Sequence, residues 1–211
     1  MIDVIYENSD YIACVKPVGV PSQNDGVEDM VRLLKEQTGS EIFPAHRLDT
    51  AVGGTMILAK TKAFAAELSK QIADKAFKKE YLAVLDGCPE AEGGTLTDLL
   101  FKDSSKNKVF VVKRERRGVK KAVLDYSVLG SADGKTLVRV LLHTGRTHQI
   151  RVQFSSRGMP LVGDGKYGSR DNRCSAALWS ESVEFKYKGQ QVKYKSLPDC
   201  NNYPWDLFKF D

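Results

Sequence analysis

The chain has 211 residues, of which 42% are hydrophobic and 28% are charged, and its formal net charge is +5. This composition is typical of an ordinary globular protein and argues against a disordered or fibrous chain. The positive charge permits a polyanionic partner but does not require one. The length suits one large domain, so we predict a single domain over residues 1–211.

The N-terminal third is predicted to combine short strands with two amphipathic helices. VIYENSDYIACVKP predicts two strands around a polar turn, and KPVGVPSQNDG predicts a loop. Apolar residues at three- and four-residue spacing predict a helix from Val27 to Gln37, with Gly39 as its stop. After the loop PAHRLDTAVGG, the apolar run GTMILAK predicts a strand, and Thr61 is a candidate cap for a second helix.

Residues 79–120 contain one clear strand and one ambiguous stretch. KEYLAVL, from Lys79 to Leu85, predicts a strand that ends at an Asp-Gly turn. Residues 88–120 mix glycines, the run TLTDLL and the basic stretch KVFVVKRERRG. That part is either a solvated, mobile hairpin, which the sequence alone favours, or a flexible basic finger that grips RNA phosphates.

The C-terminal part predicts further strands and one more helix. Ala122 to Leu129 and Lys135 to Leu142 predict strands around the turn GSADG. THQIRVQFSSRG predicts a helix with Thr147 as cap and Gly158 as stop, and VEFKYKGQQVKYKS predicts a closing hairpin. Strands outnumber helices and many pair locally, so we predict an α+β fold around a largely antiparallel sheet.

The cysteines and the N-terminus bear on cellular location. The four cysteines are scattered and form no CxxC pair of the kind that a zinc site uses. MIDVIYENSD lacks the basic start and apolar run of a signal peptide, and no apolar stretch approaches the roughly 20 residues of a membrane span. We therefore expect a cytoplasmic protein with reduced thiols, no metal and no membrane partner.

One candidate site lies in PAHRLDTAVGGTMILAKT. Asp49 stands there in a glycine-flanked loop before an apolar strand, and loops held by rigid strands often carry catalysis. The spacing alone favours a simpler interpretation, in which Asp49 caps a turn and Arg47 is a surface charge. HRLD is not the catalytic loop of a protein kinase, since no DFG metal site accompanies it.

A second candidate site lies in LLHTGRTHQIRVQFSSRGMPLVGDGKYG. Arg146, His148, Arg151 and Arg157 crowd this short segment. In a helix, His148 and Arg151 lie three residues apart and therefore near one face. Arginine suits bidentate contact with a carboxylate or a phosphate. GDGKYG lacks the spacing of a P-loop and is predicted to be a tight turn, and the lone His143 is predicted to be structural.

Together these segments resemble the RluA family of RNA pseudouridine synthases. HRLDTAVGGTMILAKT resembles the family's catalytic segment HRLDxxTSGxxxxAK, and KKEYLAVLDG resembles its K-x-Y-x-A-x-x-G strand. GRTHQIRVQFSSRGMPLVGDGKYG resembles GRxHQIRxHxxxxGxPIxGDxxYG, and the N-terminal strand pair leads to K-P-x-G as in the family. The resemblance covers nearly the whole chain and implies the pseudouridine synthase fold. Few residues precede Lys16, so we expect no S4-type RNA-binding domain.

The resemblance also implies a reaction and roles for five residues. The enzyme detaches uracil from ribose, turns it over and rejoins it through C5, without a cofactor. Asp49 matches the family's nucleophile, and a carboxylate suits the oxocarbenium character of C1′. A uridine in folded RNA must be flipped out, and Arg47 fills the space that it leaves. Tyr81 stacks on the flipped base, Ile150 packs against the uracil pocket, and Arg151 pairs with Asp49 and keeps it ionised.

Further residues are implied to contact the RNA. His46, Arg146 and His148 are candidates in the matching motifs. Other basic side chains rank lower as phosphate contacts: Lys60, Arg114, Arg116 and Arg117. The expected partner is a stem-loop of ribosomal or transfer RNA, and the expected state is a monomer.

Two departures from the family pattern leave alternatives open. Val52-Gly53 stands where the family has Thr-Ser, and Gln153 stands where it often has His. The first departure supports an alternative in which the chain is an RNA-binding protein with a lapsed active site. A third hypothesis, a glycosidase acting on small nucleosides, needs a second acidic residue, for which Asp164 is the candidate.

Overall fold

The computed structural model describes residues 1–23 and 27–210. Its elements in chain order are β1 (Asp3–Glu7), β2 (Tyr11–Lys16), α1 (Met30–Thr38), β3 (Phe43–Pro44), β4 (Gly53–Ala59), α2 (Lys62–Ala73), β5 (Lys78–Asp86), β6 (Gly93–Asp103), β7 (Lys108–Val112), β8 (Val119–Ala132), β9 (Lys135–Leu142), α3 (Gln149–Ser155), β10 (Leu178–Tyr187) and β11 (Gln190–Lys195). Backbone contacts divide the chain into two compact units. Unit 1 comprises Met1–Glu80 and Trp179–Pro198, and unit 2 comprises Tyr81–Leu178 and Asp199–Asp211. The predicted α+β class is confirmed, whereas the single domain stays a prediction.

The sheet of unit 1 runs in the order β1-β2-β4-β10, with β3 beside β4 and β11 beside β10. The pairings β1–β2, β2–β4, β3–β4 and β10–β11 are antiparallel, whereas β4 and β10 are parallel. At the parallel junction Gly54 has φ +115°, and a Cβ on it would stand 2.4 Å from the carbonyl oxygen of Ser180. Only glycine fits this backbone conformation and this close approach.

The hydrophobic core of unit 1 lies between its sheet and α2. It comprises Tyr11, Ala13, Ile57, Ala59, Phe64, Leu68, Phe77, Val183 and Phe185. Thr61 caps α2 as predicted, since its Oγ1 accepts a hydrogen bond from the N–H of Phe64 at 3.1 Å. Phe64 and Leu68, four residues apart, then face the core together.

Helix α1 starts later than its apolar spacing predicts. The side chain of Asp29 accepts the N–H of Arg32 at 2.9 Å and so fixes the first turn at Met30. Val27 lies outside the helix and is 49% exposed. Gly39 ends α1 in the left-handed conformation, as predicted. The predicted loop KPVGVPSQNDG is described only as far as Gln23, because residues 24–26 lie outside the described residues.

The sheet of unit 2 runs in the order β5-β9-β8-β6-β7. The pairings β6–β7, β6–β8 and β8–β9 are antiparallel. The ambiguous stretch 88–120 therefore contains a paired hairpin, β6–β7, and its basic run leads into β8. The predicted hairpin of β10 and β11 is also present in unit 1, with Phe185 opposite Val192.

Helix α3 covers one face of the unit 2 sheet, and its start differs from the prediction. His148, not Thr147, occupies the cap position, in the left-handed conformation with φ 50° and without a capping side-chain bond. The side chain of Gln149 instead holds the turn that precedes the helix, because its Oε1 accepts the N–H of Arg146 and the hydroxyl of Thr144. The helix ends at Ser155, before Gly158.

Within the described part of the chain, the longest helix is too short and too polar to cross a bilayer.

Candidate active site

Asp49 lies half-buried in the loop between β3 and β4 of unit 1. The backbone of this loop is held by hydrogen bonds: the N–H of Val52 donates to the carbonyl of Asp49 at 2.9 Å. Ser22 both donates its hydroxyl to the carbonyl of Leu48 and accepts the N–H of Leu48, each at 2.9 Å. The main-chain carbonyl of Asp49 closes the turn, so the backbone at this residue is firmly positioned. The side chain of Asp49 is only partly buried.

Lys16, at the end of β2, forms hydrogen bonds to the same loop. It is 0% exposed, and its Nζ donates to the carbonyls of Pro17, Val20 and Thr50 at 2.8, 2.6 and 3.4 Å. Burial lowers the pKa of Lys16 to about 8, and the charge of Asp49 opposes that change. A buried ammonium group needs such acceptors, and here it links the segment after β2 to the residue next to Asp49. Sequence reasoning matched this lysine to a motif but gave it no role.

His46 and Arg47 have opposite environments. His46 is buried, and its Nε2 accepts the N–H of Ile57 at 3.1 Å. Burial and the nearby charge of Lys79 lower the pKa of His46 to about 3, so the ring is neutral. Its Nδ1 has no hydrogen-bond partner among the described residues. A buried neutral ring is not a phosphate ligand, so this geometry does not support the RNA contact predicted for His46. Arg47, in contrast, is exposed.

The Gly53 half of the Val52-Gly53 departure has a packing explanation within unit 1, whereas nothing in the structure explains Val52. A Cβ on Gly53 would lie 2.5 Å from Cζ3 of Trp179 and 3.0 Å from a methyl group of Val18. The indole therefore occupies the space that a serine side chain would need. Trp179 is itself fixed there, because its Nε1 donates to the carbonyl of Ser196 at 3.0 Å.

In unit 2, helix α3 carries Ile150 and Arg151, and the structure gives Arg151 a partner that sequence reasoning missed. Its Nε and Nη2 donate to Oδ2 and Oδ1 of Asp164, both at 2.7 Å. The side chains are 8% and 1% exposed, which makes this a buried bidentate ion pair. Two of the five guanidinium donors are used in this way. The predicted pairing of Arg151 with Asp49 stays a prediction.

The GDGKYG segment is a tight turn, as predicted, and it holds Asp164 in place. Gly163 has φ +77°, and a Cβ on it would stand 2.4 Å from the carbonyl oxygen of Ser175. Tyr167 follows, with its ring 5.0 Å from the guanidinium carbon of Arg151. The Tyr167 hydroxyl accepts the N–H of Val109 at 2.9 Å and lies 2.8 Å from Nδ1 of His148. The signal that could have indicated Asp164 is its place in the same motif as Arg151.

The second departure, Gln153, also has a local explanation. Its Nε2 donates to Asp98 at 2.7 Å, and Arg157 donates to the same carboxylate at 2.9 Å. The first contact joins α3 to β6, and the second joins the turn just after α3 to the same strand. The Gln153 Oε1 is buried and has no hydrogen-bond partner among the described residues. The donor function that a histidine could provide is therefore kept, at the cost of one unsatisfied acceptor.

The remaining predicted residues are placed as follows. Tyr81 lies on β5 and is 6% exposed. Arg146 is exposed, and its Nε donates to the carbonyl of Lys121 at 3.0 Å. The roles predicted for both residues stay predictions. Among the described residues, no cluster of three or more His, Cys, Asp or Glu side chains could hold a metal ion.

Comparison with known proteins places this chain in a family. The family model for RNA pseudouridylate synthases matches residues 10–156. An uncharacterised RNA pseudouridine synthase of Zymomonas mobilis is 32% identical over 189 residues, which cover 86% of each chain. One of Haemophilus influenzae is 28% identical over 200 residues, covering 93% of this chain and 88% of its own. The ribosomal large subunit pseudouridine synthase D of Z. mobilis is 29% identical over 191 residues, covering 85% of this chain and 60% of its own.

Solved structures show the same fold. Human RNA pseudouridylate synthase domain containing 1 has a TM-score of 0.82 at 23% identity, covering 98% of this chain and 86% of its own. Human RNA pseudouridylate synthase domain containing 4 has a TM-score of 0.78 at 21% identity, covering 93% and 89%.

The fold and the matched motifs therefore define an isomerase of the pseudouridine synthase class, whose members form pseudouridine in RNA. Within that class the chain belongs to the RluA-type family, which confirms the resemblance seen in its motifs.

Proposed function

We propose that the chain converts specific uridines of ribosomal or transfer RNA to pseudouridine, with Asp49 as the catalytic nucleophile. The supporting observation is the half-buried Asp49 in a loop braced by Lys16 and Ser22, at the position of the family's catalytic aspartate. Such bracing holds a reacting carboxylate at a defined place, which is what positioning catalysis needs. The relatives named for the large ribosomal subunit favour RNA as the substrate.

The proposed reaction exchanges one bond for another. The N1–C1′ bond of uridine breaks, the C5–C1′ bond forms, C5 loses a proton and N1 gains one. Positive charge develops at C1′ as uracil leaves, and the carboxylate of Asp49 stabilises it. Because nothing is oxidised or added, the reaction itself demands neither a redox partner nor a group donor.

Four further residues complete the proposal. Arg47, which is exposed next to Asp49, enters the space of the flipped uridine. Tyr81 stacks on the extruded base, and Ile150 packs against it. Arg151 pairs with Asp49 and keeps it ionised, using donors other than the two that bind Asp164.

The decisive experiment compares Asp49→Asn with the parent chain. We expect the variant to form no pseudouridine while its RNA affinity stays roughly unchanged, because the amide keeps the shape and removes the negative charge. The readouts are pseudouridine mapping of RNA from cells that contain the parent, the variant or neither, and RNA binding by the purified parent and variant. Asp133→Asn is the matched control, since Asp133 is exposed in a turn at φ 51°, a conformation that asparagine tolerates. Full conversion by Asp49→Asn would refute the nucleophile assignment.

The salt dependence of binding separates RNA from a nucleoside substrate. RNA contacts release counterions, so affinity should fall steeply as salt rises. A flat profile would favour the glycosidase hypothesis. That hypothesis is not favoured by Asp164, whose carboxylate is bound to Arg151. We further propose a cytoplasmic location and a monomeric state, and light scattering of the purified chain tests the monomeric state.

A further inference from the structure

The sheet of unit 2 has a second face that α3 does not cover. Leu100 and Val109 point toward α3, where they form a core cluster with Ala122, Val152 and Tyr167. Side chains alternate along a strand, so the adjacent Phe101 and Phe110 point the opposite way. We call this side, with Leu99, Phe101, Phe110, Val112 and Val119, the outer face.

Two aromatic rings form the centre of the outer face. Phe101 and Phe110 are direct cross-strand partners of β6 and β7. Phe110 is 37% exposed, which is unusual for a large apolar ring on a strand. The guanidinium carbon of Arg116 lies 4.5 Å from the centre of Phe101. Nζ of Lys108 lies 5.9 Å from the centre of Phe110 but nearer, at 5.3 Å, to the centre of Tyr167 on the α3 side.

The basic side chains beside these rings are not neutralised. The connection from β7 to β8 carries four exposed basic residues and one acidic residue, Glu115, and a fifth exposed basic residue lies on the outer-face side of β8. The five are Lys113, Arg114, Arg116, Arg117 and Lys121. Over residues 1–23 and 27–210, none of the five forms an ion pair. Uncompensated cations next to an accessible aromatic ring are the two features that a nucleic acid strand needs, one for its phosphates and one for its bases.

We propose that the outer face binds an unpaired segment of the substrate RNA, with one base stacked on Phe110 and phosphates on Arg114 and Arg117. An RNA duplex fits the outer face less well, because its bases are already stacked and paired and cannot lie on Phe110. The inference rests on RNA being the substrate, but it concerns a surface outside the residues assigned to catalysis. It also assigns the basic run a role in RNA binding, which the alternative of a solvated hairpin does not.

The test measures binding of a fluorescent, unpaired RNA of about 12 nucleotides to the full chain by anisotropy. Phe110→Ala should lower the affinity about tenfold, because a stacked base is lost, and Phe110→Tyr should retain it. The double variant Arg114→Gln, Arg117→Gln should reduce the slope of log affinity against log salt by about 1.4, or about 0.7 per phosphate contact. Phe110→Ala should leave that slope unchanged.

Leu129→Ala is the matched control, since Leu129 is an exposed apolar residue of β8, 43% exposed, outside the basic run. Its affinity should equal that of the parent. A blunt RNA duplex of the same length should lose little affinity in Phe110→Ala. Thermal melting of each variant confirms that the fold is retained, and the behaviour of Phe110→Tyr separates stacking from folding.

Three results would overturn the inference. The first is equal affinity of Phe110→Ala and the parent for unpaired RNA. The second is an equal loss for the duplex, which would mean that Phe110 does not stack on a base. The third is a parent chain that is dimeric in light scattering and becomes monomeric in Phe110→Ala, which would make the outer face a contact between copies. A chain whose RNA affinity depends on Phe110 but which forms no pseudouridine would instead contradict the proposed function alone.

Discussion

The buried ion pair between Arg151 and Asp164 allows a quantitative test of what stabilises unit 2. Asp164→Asn keeps the shape of the side chain, removes its charge and turns one acceptor into an N–H₂ group that faces a guanidinium donor. Removing one partner of a buried pair costs about 3–5 kcal/mol. The Tyr167 ring, 5.0 Å from the guanidinium carbon, continues to stabilise the cation. We therefore expect the free energy of unfolding to fall by the lower value, about 3 kcal/mol.

The assay is urea denaturation at neutral pH, followed by tryptophan fluorescence. The control is Glu36→Gln in the pair Arg32–Glu36, whose side chains are 67% and 60% exposed, and it should leave the free energy of unfolding unchanged within error. The double variant Asp164→Asn, Arg151→Gln should lose less stability than the sum of the single variants. A loss below about 1 kcal/mol for Asp164→Asn would refute the reasoning, because it would mean that the Arg151 cation is not buried deeply enough to need a negatively charged partner.

Three further predictions concern other buried polar groups. The lowered pKa of Lys16, about 8, means that between about pH 8 and 10.5 the folded chain has lost this proton while the unfolded chain still binds it. The free energy of unfolding should therefore rise over that pH range, and Lys16→Met should show a smaller rise in the same urea titrations. The pKa of His46, about 3, predicts that its ring signals in NMR spectra do not titrate between about pH 5 and 8, and a midpoint near 6.5 would contradict its burial. Gln153→His keeps a donor to Asp98 and replaces the unsatisfied amide oxygen by a second ring nitrogen, so the melting temperature should stay within a few degrees of the parent, whereas a larger decrease would argue against that hydrogen-bond assignment.

Local sequence patterns predicted most elements because their causes are local. Thr61, with apolar residues three and seven positions later, places the start and the buried face of α2. The same spacing rule began α1 too early, because Val27 has the right period but Asp29 supplies the hydrogen bond that starts the helix. No periodicity predicts that His148 adopts the left-handed conformation, since the turn that contains it is held by the side chain of Gln149, which lies inside the helix.

The candidate site was predictable only where a motif carried it. Asp49 and Arg151 were found by matching segments, and their placement depends on contacts that no single segment contains. Asp164 was missed as a partner because it lies on a different element from Arg151, and the turn that brings it close depends on Gly163. Lys16 was missed because its acceptors are backbone carbonyls, which every sequence offers equally. The parallel junction of β4 and β10 pairs Gly54 with Ser180. These residues are too far apart in the sequence for any local pattern to predict their pairing.

Lys16 has a practical consequence. Its amine is enclosed by carbonyls of the segment after β2 and of the loop that carries Asp49. An acylating reagent can react with this amine only after the two segments separate, whereas an exposed lysine such as Lys75 reacts at once. The rate at which Lys16 becomes labelled, followed by mass spectrometry, would therefore report how often the loop that carries Asp49 opens, without any introduced probe.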